Sequence, residues 1–365
     1  MGFWIVLAII TYVICFIGTF FCNKNKRLNY VVLMISIIFW WIILAFRYMI
    51  GWDYYSYSKL YYSVEIDDMY IDKSFIILSI IFRNLGFDYQ IIFIVYASAM
   101  FFFIYKGLMY YKDKQIVAWG LFILLPMGYF NAMGYIRQAL AVSIFFWSIR
   151  FIVQKKLIKY ILSILLASCI HFSALILLPV YYLIKIKYKA YMHFLLCGVM
   201  FILAYFNITA DLISYVLGVL DLRYLNYMQR IARSPSIGNI MFFLGVWLMV
   251  FVNSIITKSF NKTQYEIIKI NLCTMCIVFM CVFYFDYVFL RLKDYFSIIF
   301  IAALSDIIIT YKKYQKIIVF NLIYLVAMSY FFITWIHVAE NPSDALGLIP
   351  SSTNIKYEFN FNVFR

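Results

Sequence analysis

Along this chain, long apolar runs alternate with short polar joints, and most runs have the length of a membrane crossing. A hydrocarbon core about 30 Å thick is spanned by about 20 apolar residues of helix. Runs near that length cover 3–22, 29–46, 89–105, 115–130, 136–153, 190–206, 239–257, 270–285, 295–310 and 317–337. Residues 74–85 are apolar but too short to span, and they carry Arg83, so they predict an interfacial or re-entrant helix. Residues 160–184 could cross once, but one crossing would invert every later joint. Lys185, Lys187, Lys189, Lys258, Lys262, Lys312 and Lys313 would then lie outside. A re-entrant pair, 160–170 and 172–184, broken near His171 and Ser173, avoids this. Non-helical backbone at membrane depth is tolerated only where it is buried in protein or lines a wet cavity, so the break predicts a cavity at His171.

The predicted fold is an all-α polytopic membrane protein with about 10–12 transmembrane helices, the broken pair included. It forms a single membrane domain over residues 1–365. Long outer loops are predicted at 47–88 and 207–238, and an outer C-terminal tail at 338–365. Over 222–233, Arg223, Asn226, Arg230 and Arg233 share a helical face opposite Tyr224, Leu225, Met228 and Ile231. That pattern predicts an amphipathic helix on the membrane boundary.

Composition agrees with this class. Hydrophobic residues make up 66% of the 365 and charged residues 13%, too little polar surface to cover a water-soluble globule. The net charge of +15 would suggest a polyanionic partner if the charges formed one face. Instead they fall in clusters between the runs, such as Lys24, Lys26 and Arg27, or Lys155, Lys156 and Lys159. With the N-terminus outside, six such clusters and Arg150 put 19 basic residues inside against only Asp113, Glu266 and Asp306. This is the positive-inside pattern, and it leaves no basic module for nucleic acid. The seven cysteines all lie in or beside apolar runs. Cys273 and Cys276 form a C-x-x-C without a second ligand pair, so they are read as buried apolar side chains. The first run has no basic leader and no small-residue cleavage site, which predicts a retained anchor.

Ionisable residues in or near membrane segments are costly and therefore functional candidates. Arg47 ends the second run, and Gly51 lets the chain turn before Asp53 in R-Y-M-I-G-W-D-Y-Y-S-Y. Arg137 opens the fifth run beside Gln138, His171 sits at the predicted break, and Arg291 lies in the short outer stretch 286–294. Arginine suits phosphate because its planar fork donates two hydrogen bonds and stays charged on partial burial. Arg47, Arg137 and Arg291 around an outward cavity would suit a diphosphate. Plainer roles stay open: snorkelling for Arg47 and Arg291, a structural ion pair for Arg137, an interior hydrogen bond for His171, a turn cap or a pair with Arg47 for Asp53. Glu65, Asp67, Asp68 and Asp72 crowd the first outer loop, but their spacing matches no compact metal loop, and a solvated acidic segment is the expectation. No metal and no cofactor is expected.

The motifs R-Y-M-I-G-W-D-Y-Y-S-Y, Y-I-R-Q-A-L-A-V-S-I-F-F and L-L-A-S-C-I-H-F-S-A-L together resemble the EpsG-like branch of the Wzy-type polysaccharide polymerases, over roughly residues 1–310. Members usually carry a Glu-Pro-Gly-Phe-like stretch where this chain has Asp72, Lys73, Ser74 and Phe75. That departure leaves open whether Asp72 inherits a role. The resemblance implies a C-type glycosyltransferase-like enzyme that joins undecaprenyl-diphosphate-linked oligosaccharide repeat units on the outer face of a bacterial cytoplasmic membrane. Its implied partners are that lipid-linked oligosaccharide, the bilayer and a polysaccharide chain-length regulator. Arg137 and Arg291 are then assigned to the diphosphate, with Arg47 orienting Asp53 or helping with phosphate. Asp53 or His171 is the base. Tyr54 and Tyr57 stack on sugar, Gln138 contacts substrate, and Arg223 and Arg230 lie on a helix that closes over the lipid carrier. Two other classes compete: a C-type transferase adding single sugars from a polyprenyl-phosphate donor, and a flippase or exporter of the lipid-linked unit. The flippase would need no base and would tolerate loss of both Asp53 and His171.

Overall fold

The computed structural model describes residues 2–21, 25–51, 53–66, 72–111, 114–219, 237–340 and 358–364. They are almost entirely helical, and two isolated antiparallel bridges are the extended pairings among them. The chain divides into two compact units, Met1–Leu178 with Leu304–Arg365, and Pro179–Ala303.

Among the described residues, seven helices are long and apolar enough to cross a membrane, and up to nine spans result if each of two bent pairs counts as one. This is a multi-pass membrane protein. Several of the predicted apolar runs are broken rather than continuous helices. Run 115–130 is helical over Gln115–Leu124 and then bends by 61° into Pro126–Gly134. Pro126 is the cause: it has no N–H to donate and forces Leu125 out of the helical region, to φ −86° and ψ 147°. Run 190–206 ends at Tyr205 and turns through 77° into a second helix at Ile208, with Asn207 at φ +57° as the pivot. Run 295–310 is split into Lys293–Ser297 and Ile299–Thr310. By contrast, helix Gln264–Val282 starts six residues ahead of run 270–285 because the Thr263 side chain accepts the Glu266 N–H and caps it. Run 74–85 forms a helix, Lys73–Asn84, and run 160–184 breaks at His171 between helix Leu157–Ile170 and the 3-10 turn Phe172–Leu177. The segment 222–233 lies outside the described residues.

In the first unit, the polar side chains within the bundle satisfy one another across helices. Trp40 Nε1 donates to Thr11 Oγ1 at 3.2 Å, Trp119 Nε1 to Ser36 Oγ at 2.8 Å, and the Tyr324 hydroxyl to the Val117 carbonyl at 2.8 Å. In an apolar surrounding an unpaired donor is costly, so these pairs fix helix register as well as contact.

The segment between the second run and helix Gln90–Leu108 is itself a small folded layer. It contains helices Tyr54–Ser63 and Lys73–Asn84. Arg83 donates to the Tyr61, Tyr62 and Val64 carbonyls and so closes the C-terminal end of the first of these. The tail returns to this layer. Its residues bridge Arg47 to Phe359 and Phe87 to Phe364, and buried Asn360 donates to Gln90 Oε1 at 3.1 Å. Gln90 also accepts from the Tyr54 hydroxyl at 2.8 Å and donates to the Ala45 carbonyl at 2.7 Å. One fully buried amide thus ties the second span, helix Tyr54–Ser63 and the tail together. Replacing Asn360 by alanine strands part of that network and should cost about 1–2 kcal/mol. The expected readout is a melting temperature in detergent lowered by a few degrees, and an unchanged value would show that the tail contributes nothing.

In the second unit, Asn271 Nδ2 donates to the Ile184 and Ile186 carbonyls, both at 2.9 Å. Buried Lys293 pairs with buried Asp294 at 2.6 Å. The amide thus satisfies carbonyls just past helix Val180–Leu183, and the ion pair offsets two charges that the surrounding apolar helices cannot solvate.

Candidate active site

Three of the sequence motifs meet in the first unit. The second span ends at Ala45, and Arg47, two residues on, is 1% exposed. It donates from Nη1 to the Leu44 carbonyl at 2.7 Å and from Nε to the Ile50 carbonyl at 2.9 Å, and it lies over the rings of Phe93 and Tyr54. Arg47 therefore closes the C-terminal end of helix Lys26–Ala45 and ties it to the loop 47–51. Gly51 completes the loop at φ +105°, and a Cβ there would lie 1.7 Å from the Met133 carbonyl oxygen. The next contact is the Asp53 N–H on the Gly134 carbonyl at 3.1 Å. The loop carrying Asp53 is thus fastened to the turn that leads into Arg137.

Arg137 stands at the start of helix Ile136–Val153. Its Nη1 donates to Asp72 Oδ2 at 3.0 Å and its Nε to the Tyr57 hydroxyl at 3.1 Å. Its plane also lies over the Tyr57 and Phe75 rings, at 4.8 and 5.4 Å from the centroids. The Tyr57 hydroxyl in turn donates to Asp53 Oδ2 at 3.2 Å. On the other side of Asp72, His171 Nδ1 is 3.1 Å from Oδ2, and the Phe172 N–H reaches Oδ1 at 3.3 Å. Asp72 precedes helix Lys73–Asn84 but does not cap it with its side chain; the carboxylate turns instead to the broken helix. The result is a continuous chain, Asp53–Tyr57–Arg137–Asp72–His171, from four separate stretches of sequence.

Burial would raise the Asp72 carboxyl, but the His171 hydrogen bond and the Arg137 charge outweigh it and hold the group below the usual carboxylate range. A carboxyl depressed on folding stabilises the protein above its unfolded value, about 3.9, and loses that contribution as pH falls through the folded value. Asp72→Asn should therefore melt below wild type at pH 7 in detergent, with the gap closing below about pH 4. A gap that stays constant from pH 7 to pH 3 would contradict the ion pair.

The other expected site residues are placed as follows. Tyr54 is fully buried, with its ring stacked on Phe93 at 4.3 Å and 6°. That puts it in the packing beneath the site, with its face on Phe93 rather than on a sugar. Tyr57 is buried as well and serves as the link between Arg137 and Asp53. Gln138 is buried next to Arg137. Arg291 belongs to the second unit, where its carbonyl accepts the Asp294 N–H at 3.0 Å. Arg223, Arg230, Asp67 and Asp68 lie outside the described residues.

The family model of the EpsG family matches residues 30–358, which include all three motifs. The chain belongs to the EpsG family. No curated protein and no solved structure matches it significantly. Membership brings a polysaccharide-polymerase type of function, and this EpsG chain is accordingly a multi-pass membrane protein of polysaccharide biosynthesis. Its arginine, carboxylate and imidazole groups, each only partly exposed, sit where the three motifs converge.

Sequence reasoning reached Arg137, His171 and Asp53 because ionisable groups at span ends are conspicuous. It left the role of Asp72 open. Asp72 is 65 residues from Arg137 and 99 from His171, and no local pattern signals a partner at such separation.

Proposed function

We propose that this protein polymerises a lipid-linked oligosaccharide by glycosyl transfer on the outer face of the cytoplasmic membrane. The growing glycan moves from undecaprenyl diphosphate to a hydroxyl on the non-reducing sugar of the next unit. The observation that carries this reading, together with family membership, is the joining of Arg137 to Asp72 and His171 in one partly exposed cluster.

The chemistry makes two demands. As the bond from the anomeric carbon to the diphosphate breaks, negative charge develops on the departing oxygen. A guanidinium held in place before the reaction offsets that charge best in a poorly solvated site. Arg137 is such a group: Asp72 and Tyr57 fix its direction, and the aromatic faces of Tyr57 and Phe75 exclude water from one side. Arg291 is assigned as a second diphosphate ligand. The acceptor hydroxyl must also lose a proton as it attacks, and Asp53 and His171 are the groups able to take it. Arg47 serves by orienting the loop of Asp53. Arg223 and Arg230 remain assigned to the lipid carrier, and Gln138 to the substrate. The positive-inside pattern supports placing this cluster outside, where the lipid-linked unit is delivered after flipping.

The test is the lipid pool of a strain lacking the gene. Accumulation of undecaprenyl-diphosphate carrying a single complete repeat unit, cleared by wild-type complementation, is expected of a polymerase. A truncated unit would indicate a transferase that adds single sugars.

A further inference from the structure

We infer that Asp72 is a positioning residue that holds the His171 imidazole with its proton on Nδ1, leaving Nε2 as the base that accepts the hydroxyl proton. This rests on the polymerase reading above and decides between its two candidate bases.

An ionised carboxylate has no hydrogen to donate, so the 3.1 Å contact between His171 Nδ1 and Asp72 Oδ2 requires the N–H on Nδ1. In the neutral form of the ring the lone pair is then on Nε2, which has no hydrogen bond among the described residues. The His171 side chain is 30% exposed, so Nε2 is open to a reactant. Asp72 is itself immobilised. Oδ2 also takes the Arg137 Nη1 proton at 3.0 Å, and Oδ1 takes the N–H of Phe172, the residue next to the histidine it orients. Rotation of the carboxylate would break a bond to each of three groups. The break in the helix has a role here. His171 leaves helix Leu157–Ile170 at φ −148° and ψ 111°, which frees the Phe172 N–H for Asp72. Asp53 accepts the Tyr57 hydroxyl on Oδ2, which lowers the basicity of that oxygen.

In the transfer step, the acceptor oxygen forms a bond to the anomeric carbon while its proton passes to Nε2. The bond from that carbon to the diphosphate breaks, and its electron pair leaves on undecaprenyl diphosphate. The imidazolium, facing the Asp72 carboxylate, is stabilised as it forms and then returns its proton to water. The same carboxylate contacts Arg137, so one group sets the direction of both the base and the charge-stabilising fork.

The test uses the full-length protein, labelled with 15N-histidine and reconstituted in lipid, with His171→Gln identifying the resonance. At pH 8, solid-state NMR should show His171 protonated on Nδ1 and bare on Nε2, and Asp72→Ala should shift the proton to Nε2. In parallel, turnover is measured on the lipid-linked oligosaccharide pool extracted from the gene-deletion strain. Asp72→Ala should lower kcat by about 100-fold or more with KM changed only a few-fold, and Asp72→Glu should recover part of kcat. If the alanine form is unstable, Asp72→Asn, which removes the charge but keeps an oxygen for the Nδ1 proton, is read by kcat alone: it should keep the Nδ1 tautomer and lower kcat. Nε2 protonation of His171 in wild type, or a tautomer indifferent to Asp72→Ala, would overturn the inference. Failure of wild type to elongate the pool while the tautomer is as expected would instead overturn the polymerase reading, and the catalytic role of His171 with it.

Discussion

Arg137→Lys is expected to lower polymer output by about 100-fold or more while the protein reaches the membrane at wild-type levels. The substitution keeps the positive charge, so long-range attraction for a diphosphate is unchanged. What it loses is shape. Arg137 uses Nη1 on Asp72 and Nε on Tyr57 while its plane covers two aromatic rings. An ammonium is a point donor on a flexible stem and cannot hold those directions together. Asp72 keeps a cation nearby, so the fold is spared the cost of a stranded carboxylate, about 3–5 kcal/mol when one member of a buried pair is removed outright. Activity and abundance should therefore separate. Immunoblotting of membranes alongside surface-glycan quantification checks this, and wild-type polymer from the lysine variant would remove Arg137 from the site.

Gly51→Ala is expected to fail earlier, at folding. Two independent penalties coincide there. The backbone is at φ +105°, where a side chain is strained, and the added carbon would sit 1.7 Å from a backbone oxygen that cannot move aside as a flexible side chain could. Strain of this kind costs about 1–3 kcal/mol before the clash is counted, and net stabilities are only about 5–15 kcal/mol. Because the opposing oxygen belongs to Met133, relief of the clash would separate the Asp53 loop from the turn before Arg137. The expected result is a melting temperature in detergent lowered by more than about 5 °C, or little protein recovered at all. An alanine variant that melts like wild type would mean the loop does not close on Met133.

These two positions illustrate what the sequence could and could not disclose. Apolar run length and the positive-inside pattern were sufficient for a polytopic helical protein, and the short helix Lys73–Asn84 and the break at His171 were both legible in advance. The break in run 115–130 was not anticipated, although Pro126 is visible in the sequence, because the apolar run continues on both sides of it. Burial and backbone partners are properties of the folded state, so the sequence does not show that two of the five Arg47 N–H donors bind the Leu44 and Ile50 carbonyls. The pairing of Asp72 with His171, and the return of Asn360 to Gln90, span 99 and 270 residues. Hydrophobic periodicity reports which face of a helix is buried; it says nothing of which distant carboxylate meets it there.

The central claim is that this cluster joins finished repeat units. The most direct measurement is electrophoresis of surface glycan from a gene-deletion strain complemented with wild type or with Arg137→Ala. The account predicts that the ladder of chain lengths collapses to a single unit in the deletion strain, returns with wild type and does not return with the variant. A ladder unchanged by deletion would contradict it.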